Sequence, residues 1–159
     1  MDGLQTKLLS SLEKVFLDEE PMGPGPGRAT VLTNEAYGFQ WALQSKNHKL
    51  DEVYVEVTGP LADWAAVRAV SVVPVEYAVQ IDHDGFVLRD RPGLFPDRLD
   101  PIPCHGLKLL PGQWRSVWIS LEPKKLLPAG VHEVGVQLKD REDFVLAEDK
   151  LTIEVIDAE

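Results

Sequence analysis

The residues whose types and spacing could do chemistry fall into a few short groups. Asp82-His83-Asp84-Gly85 offers two carboxylates and an imidazole in neighbouring positions, a partial shell for a hard cation. A complete shell needs more convergent oxygens, and this run lacks the closing Glu of a calcium-binding loop. A turn that uses Asp and Gly for local hydrogen bonding and positive φ is the better reading. Cys104-His105 sets a thiol beside an imidazole, the pairing that activates a nucleophile. Adjacent side chains in extended backbone point apart, however, and His48, His83 and His132 are scattered along the chain. No third orienting group is implied, so an incidental loop pair is expected.

Glycoside chemistry by paired carboxylates would need two acids about 5–10 Å apart in a cleft, one with a raised pKa. The acids instead cluster as Asp18-Glu19-Glu20, Asp51-Glu52 and Asp140-Arg141-Glu142-Asp143, which read as solvated turns. No catalytic residue, metal ligand or cofactor is therefore assigned. Tryptophan is the stronger clue among Trp41, Trp64, Trp114 and Trp118, because an exposed indole can stack on a sugar or anchor a contact. Trp41 aligns with Tyr37 and Phe39 and reads as core. Trp114 and Trp118 lie on the strand face opposite Val117 and Ile119, so they form the candidate exposed or interfacial pair.

Composition removes several function classes. The 159 residues carry 26 acids against 16 bases, a net charge of −10. Nucleic acid and anionic membranes require clustered Lys and Arg, and neither is an expected partner. Residues 1–80 hold 6 bases and 11 acids and residues 81–159 hold 10 and 15, so each half of the chain is −5. A single cysteine cannot form an intramolecular disulfide. The start, Met-Asp-Gly-Leu-Gln-Thr-Lys, has no basic region leading into an apolar stretch. No apolar run reaches the ~18 residues of a membrane-spanning helix. A cytoplasmic location is the resulting expectation.

The elements that must position these groups are strands. In Ala36–Ser45 the side chains of Tyr37, Phe39, Trp41 and Leu43 share one face, opposite Gln40 and Gln44. Asp51–Thr58 sets Val53, Val55 and Val57 against polar neighbours, and Lys150–Ile156 does the same with Leu151, Ile153 and Val155. This period-2 alternation is that of half-buried antiparallel strands. Trp114–Leu121 is mixed, apolar on both faces, which allows both to be covered, and with Val67–Pro74, Val131–Leu138 and Arg28–Thr33 it brings the set to about seven. Gly59-Pro60, Asp84-Gly85, Pro111-Gly112 and Pro128-Ala129-Gly130 supply turns between them. The 12 prolines and 12 glycines agree with many corners. An all-β, two-sheet, immunoglobulin-like antiparallel sandwich over residues 1–159 is expected.

Two segments resist that pattern. Leu4, Leu8, Leu9, Leu12, Val15 and Phe16 fit a helical stripe, yet Leu4, Leu8, Leu12 and Phe16 also fit one face of a strand. Asp90–Gln113 holds Pro92, Pro96, Pro101, Pro103 and Pro111 with no clean period, and reads as one long proline-rich loop. Its apolar Leu94, Phe95, Leu99, Ile102 and Leu107 are more than a lone sandwich would bury.

Several of these segments resemble one known family. Ser11-Leu12-Glu13-Lys14-Val15-Phe16 followed by Asp18-Glu19-Glu20-Pro21 resembles the opening of family 123 glycoside hydrolases and their uncharacterised relatives. Asn34-Glu35-Ala36-Tyr37-Gly38-Phe39-Gln40 is similar to their second motif, and Pro92-Gly93-Leu94-Phe95-Pro96-Asp97 to a Pro-Gly-Leu-aromatic-Pro-Asp loop. Trp114-Arg115-Ser116-Val117-Trp118-Ile119 with Pro128-Ala129-Gly130 is similar to the strand and turn near that domain's end.

The resemblance implies an N-terminal β-sandwich that precedes a (β/α)8-type barrel. It also favours a strand for residues 4–16. The family activity it implies is that of a retaining hexosaminidase acting on N-acetylgalactosamine, with an Asp-Glu pair in substrate-assisted catalysis. Those acids belong to the barrel, which would begin where Asp157-Ala158-Glu159 closes this chain. The chain itself is thus expected to be non-catalytic, an accessory domain that packs against and orients the downstream barrel. Carbohydrate, stacked on exposed Trp side chains, is the alternative partner. The ligand or interface candidates are Trp114, Trp118, Leu94, Phe95, Asp97 and Arg98.

Overall fold

A computed structural model describes residues 3–80 and 82–157. Ala158 and Glu159, where the resemblance would start the next domain, lie outside the described residues. Two five-stranded sheets pack face to face. The first contains β1 (Leu4–Ser10), β3 (Tyr37–Ser45), β8 (Trp114–Leu121), β5 (Ala65–Val75) and β6 (Gly93–Pro101), in that spatial order. The second orders β2 (Arg28–Leu32), β10 (Val145–Ile156), β9 (Gly130–Lys139), β4 (Leu50–Thr58) and β7 (Leu107–Leu109). The all-β sandwich expected from the alternation is the fold observed, with no α-helix among the described residues.

The inward rows are those the period-2 pattern selects. Phe39, Trp41 and Leu43 from β3 meet Val117, Ile119 and Leu121 from β8 on one side of the core. Val134, Val136 and Leu138 from β9 and Leu151, Ile153 and Val155 from β10 form the other. Trp41 is fully buried, and its indole Nε1 donates to Asp149 Oδ2 at 2.7 Å. Thr6 Oγ1 donates to the same oxygen at 2.6 Å, which ties β1 to β10 across the sandwich. The buried indole N–H is thereby satisfied.

The choice left open over residues 4–16 falls to a strand in its first part, as the resemblance favours: β1 pairs antiparallel with β3 from Leu4↔Ser45 to Ser10↔Phe39, and the chain then turns. The helical stripe arises because both faces of β1 are covered. Leu4 and Leu8 pack on the main core, while Leu9 joins Val15, Ala42 and Trp114 in a second cluster. Leu12, counted in either stripe, is exposed.

Asp90–Gln113 is not one loop. β6 pairs with β5 from Val75↔Gly93 to Arg68↔Pro101, and β7 pairs with β4. Pro96 and Pro101 are tolerated because β6 is an edge strand, where a missing N–H faces away from the ladder. Ile102 and Leu107 belong to the main core. The long connection is instead 76–92, the loop between β5 and β6. The sheets are not wholly antiparallel, since β2 runs parallel to β10 through Thr152↔Arg28 to Ile156↔Leu32. The residues 11–27 between β1 and β2 cross from one sheet to the other, so β2 can lie alongside β10 in the same direction.

Gly59 shows how tightly a turn can be specified. Its φ is +99°, and a Cβ there would stand 2.3 Å from the carbonyl oxygen of Glu133 on β9. Gly59→Ala is expected to cost about 2 kcal/mol, from a disfavoured backbone region plus a clash with backbone that cannot swing aside. A urea midpoint unchanged by the substitution would contradict this.

Candidate functional site

The two outer sheet faces differ in kind. On the second sheet, cross-strand ion pairs stand among a few exposed apolar residues, Leu32, Val131 and Ile156. Arg28 pairs with Glu154 at 2.6 Å, Lys150 with Glu133 at 2.9 Å, and Lys139 with Glu56. Such a face is at home in water. The first sheet's outer face is instead overlaid by chain, by residues 11–22 and by the loop 76–92.

Gln40 holds the first of these. It points outward from β3, as alternation predicts, but is only 3% exposed. Its Nε2 donates to the carbonyls of Ser10 (3.2 Å), Ser11 (3.4 Å) and Glu13 (2.8 Å), and its Oε1 accepts from Ser116 Oγ at 2.8 Å. One carboxamide thus fastens the turn after β1 to the sheet. Beyond it, Val15 and Leu9 close over Trp114, and Trp114 N donates to Leu17 O at 2.9 Å.

Arg89 holds the second. Its side chain is 6% exposed, and its guanidinium lies 3.8 Å from the ring centroid of Phe16. Nη2 reaches Asp18 Oδ1 at 2.7 Å and Glu19 Oε1 at 2.6 Å. Arg91 adds a 3.2 Å contact to Glu19. Phe16 meets Phe95 of β6 edge-on at 5.3 Å. The hydrogen bond from Arg89 holds the Asp18 carboxyl below its ordinary range. Segment, loop and edge strand are thereby locked together.

These contacts leave clefts. One of about 490 Å³ is mainly apolar, with Phe16, Val73, Val75, Leu88, Phe95 and Pro96 among its walls. A smaller one of about 290 Å³ is lined by Glu13, Lys14, Gln40, Asp97, Leu99 and Trp118. Lys14, Pro96 and Asp97 border both.

The structure therefore brings together Trp118, Phe95 and Asp97 among the sequence-derived candidates. Trp114 is not exposed but buried under Val15 and Leu9, because a covering segment makes the strand's second face internal too. Leu94 is 44% exposed and lines neither cleft. Arg98 is turned along its own strand to Asp100 at 2.9 Å. Sugar stacking on an indole pair thus loses one of its two members. Arg89 and Gln40 were missed as positioning residues. The only signal for them was an Arg that follows the apolar Phe86-Val87-Leu88 run and a Gln on a strand's polar face.

The remaining groups are structural. Asp84 Oδ1 accepts from Phe86 N at 3.0 Å and His83 Nδ1 from Gly85 N at 3.3 Å, with Gly85 at φ +85°, which is turn chemistry. Cys104 is exposed in the turn before β7. His105 borders a polar cleft of about 630 Å³ together with Asp51, Glu52, Asp140 and Glu142. Two of those acids are engaged locally: Asp51 pairs with Lys49 and Lys108, and Asp140 Oδ1 accepts from Glu142 N and Phe144 N. Among the described residues no three His, Cys, Asp or Glu side chains converge as metal ligands would.

No family model matches the chain, and no curated protein matches it in sequence. Solved structures do match in fold. A family 123 glycoside hydrolase from Clostridium perfringens, studied for glycolipid glycan hydrolysis, superposes with a TM-score of 0.74 at 10% identity over 98% of this chain. The chain spans 28% of that hydrolase. AvmM, which catalyses macrocyclization in alchivemycin A biosynthesis, matches at a TM-score of 0.50 and 6% identity, covering 100% of this chain and 92% of its own. A structure from the aggregative adherence fimbriae of enteroaggregative Escherichia coli overlaps at 0.42 and 8% identity, covering 98% of this chain and 100% of its own. At these identities the likeness is one of fold.

Proposed function

We propose that this sandwich is a non-catalytic accessory domain of a glycoside-hydrolase-like polypeptide, packing against and orienting a downstream (β/α)8-type barrel. The observation that carries the reading is the lopsided superposition: nearly all of this chain lies on 28% of a family 123 glycoside hydrolase. The chemistry of the surface agrees with it. Carboxylates that a hydrolase would hold in a cleft at raised pKa are here in ion pairs and turns, and the Asp18, Asp51, Asp100 and Glu122 carboxyls are held low by Arg and Lys partners. A sheet face overlaid by fixed loops suits support of a neighbouring domain better than turnover.

The product of the complete reading frame should hydrolyse a chromogenic β-N-acetylgalactosaminide, while the purified 159-residue chain shows no turnover above buffer. Turnover by the short chain itself would overturn the reading. So would a reading frame that closes at Glu159.

A further inference from the structure

We propose that residues 11–22 and the loop 76–92 form one acidic-rimmed apolar docking surface, whose occupant is an apolar ridge bordered by lysines and arginines, supplied by the rest of the polypeptide. This rests on the accessory-domain reading and names the seam that reading leaves open.

Large apolar side chains stand out of these segments into water. Leu12, Met22, Tyr77, Phe86 and Leu88 are each more than 70% exposed. Leu12, Met22 and Leu88 border one shallow depression of about 250 Å³, and Leu88 also walls the adjoining apolar cleft. Scattered exposed hydrophobics need no explanation, but Leu12, Met22 and Leu88 form a group, and a group with a polar rim marks a contact site. The Arg89 clamp and the Gln40 carboxamide hold the segments in place before any partner arrives. Such preorganisation lowers the ordering cost of association.

The rim identifies the occupant. Residues 11–22 and 76–92 contain 8 acids and 3 bases, a net −5 that is half of the −10 of the whole chain. Among the described residues, the ion-paired acids of these segments are Asp18, Glu19 and Glu20, while Glu76, Asp82, Asp84 and Asp90 are exposed carboxylates outside any ion pair. A second copy would set like charge against like, and nucleic acid or an anionic bilayer would be repelled. A basic-rimmed apolar surface meets both features at once. The outer face of the second sheet also carries exposed apolar residues, Leu32, Val131 and Ile156, but they are less exposed than those above and stand among cross-strand ion pairs.

Amide exchange tests this when measured on the 159-residue chain and on the product of the complete reading frame. Slowing by about tenfold or more in residues 11–22 and 76–92 of the longer protein is expected. In that protein Phe86→Ser/Leu88→Ser, both on exposed side chains, should return the loop's exchange to the rate of the short chain. Slowing confined to another face would overturn this surface and leave the accessory-domain reading standing. Identical exchange throughout, or a reading frame that ends at Glu159, would overturn both.

Discussion

Gln40→Leu is expected to lower stability by about 3 kcal/mol, although it replaces a polar side chain on an outward strand face with an apolar one of similar size. On a wet face the change would be nearly neutral. Here the carboxamide is buried, with carbonyls of Ser10, Ser11 and Glu13 sharing its two N–H donors and Ser116 donating to its oxygen. Three net hydrogen bonds at about 1 kcal/mol each disappear, and the Ser116 hydroxyl loses its acceptor in a buried site. Urea unfolding measures the loss, and limited proteolysis should find residues 11–16 newly cleavable. Ser116→Ala, which removes only one of the bonds, should cost about 1 kcal/mol. A Leu variant within about 0.5 kcal/mol of the parent would mean that the turn is held by Val15 and Leu9 packing alone.

Gln40 also shows what the sequence could and could not reveal. Alternation identified β3, β4 and β10 because each has one row that must leave water, and the inward rows follow from it, whereas β8 is apolar on both faces. Period 2 says which side a residue takes, but not whether that side meets water or another stretch of chain. Gln40 and Trp114 were misjudged for the same reason: the covering segment comes from residues 11–17, far away in sequence. The same blindness produced the helical stripe at β1, where both faces are covered. For β6 the prolines pointed away from a strand, and only its position at the sheet edge makes them harmless.

Charge was hidden in a similar way. Each half of the chain is −5, so nothing in the sequence order suggests an acidic region. In the fold Asp18 and Glu19 from one half meet Arg89 from the other, and the two segments that this contact joins, 11–22 and 76–92, together hold half of the net charge.

The second large effect concerns the joint that assembles the face. Asp18→Asn/Glu19→Gln is expected to destabilise the protein by about 3 kcal/mol, because it strands the buried Arg89 guanidinium without a countercharge. That sits at the low end for a broken buried pair, since both carboxylates are half-exposed and water screens part of the attraction. Arg89→Met should be milder. It keeps apolar packing against Phe16 and removes the charge whose burial makes the pair necessary. If Arg89→Met costs as much as the double variant, the buried charge is not what the carboxylates serve.

Acid gives an independent reading of the same joint. Asp18 is held below its ordinary value of 3.8, chiefly by the hydrogen bond from Arg89, so its contribution is complete above that value. The contribution fades as pH falls through the lowered value, where protonation releases Arg89. Between pH 6 and about 3 the parent should therefore lose more urea resistance than Asp18→Asn/Glu19→Gln, which has already forfeited this contribution. Equal losses would assign the acid sensitivity to other carboxylates, such as Glu122 beside Arg68, and leave the clamp without its electrostatic role.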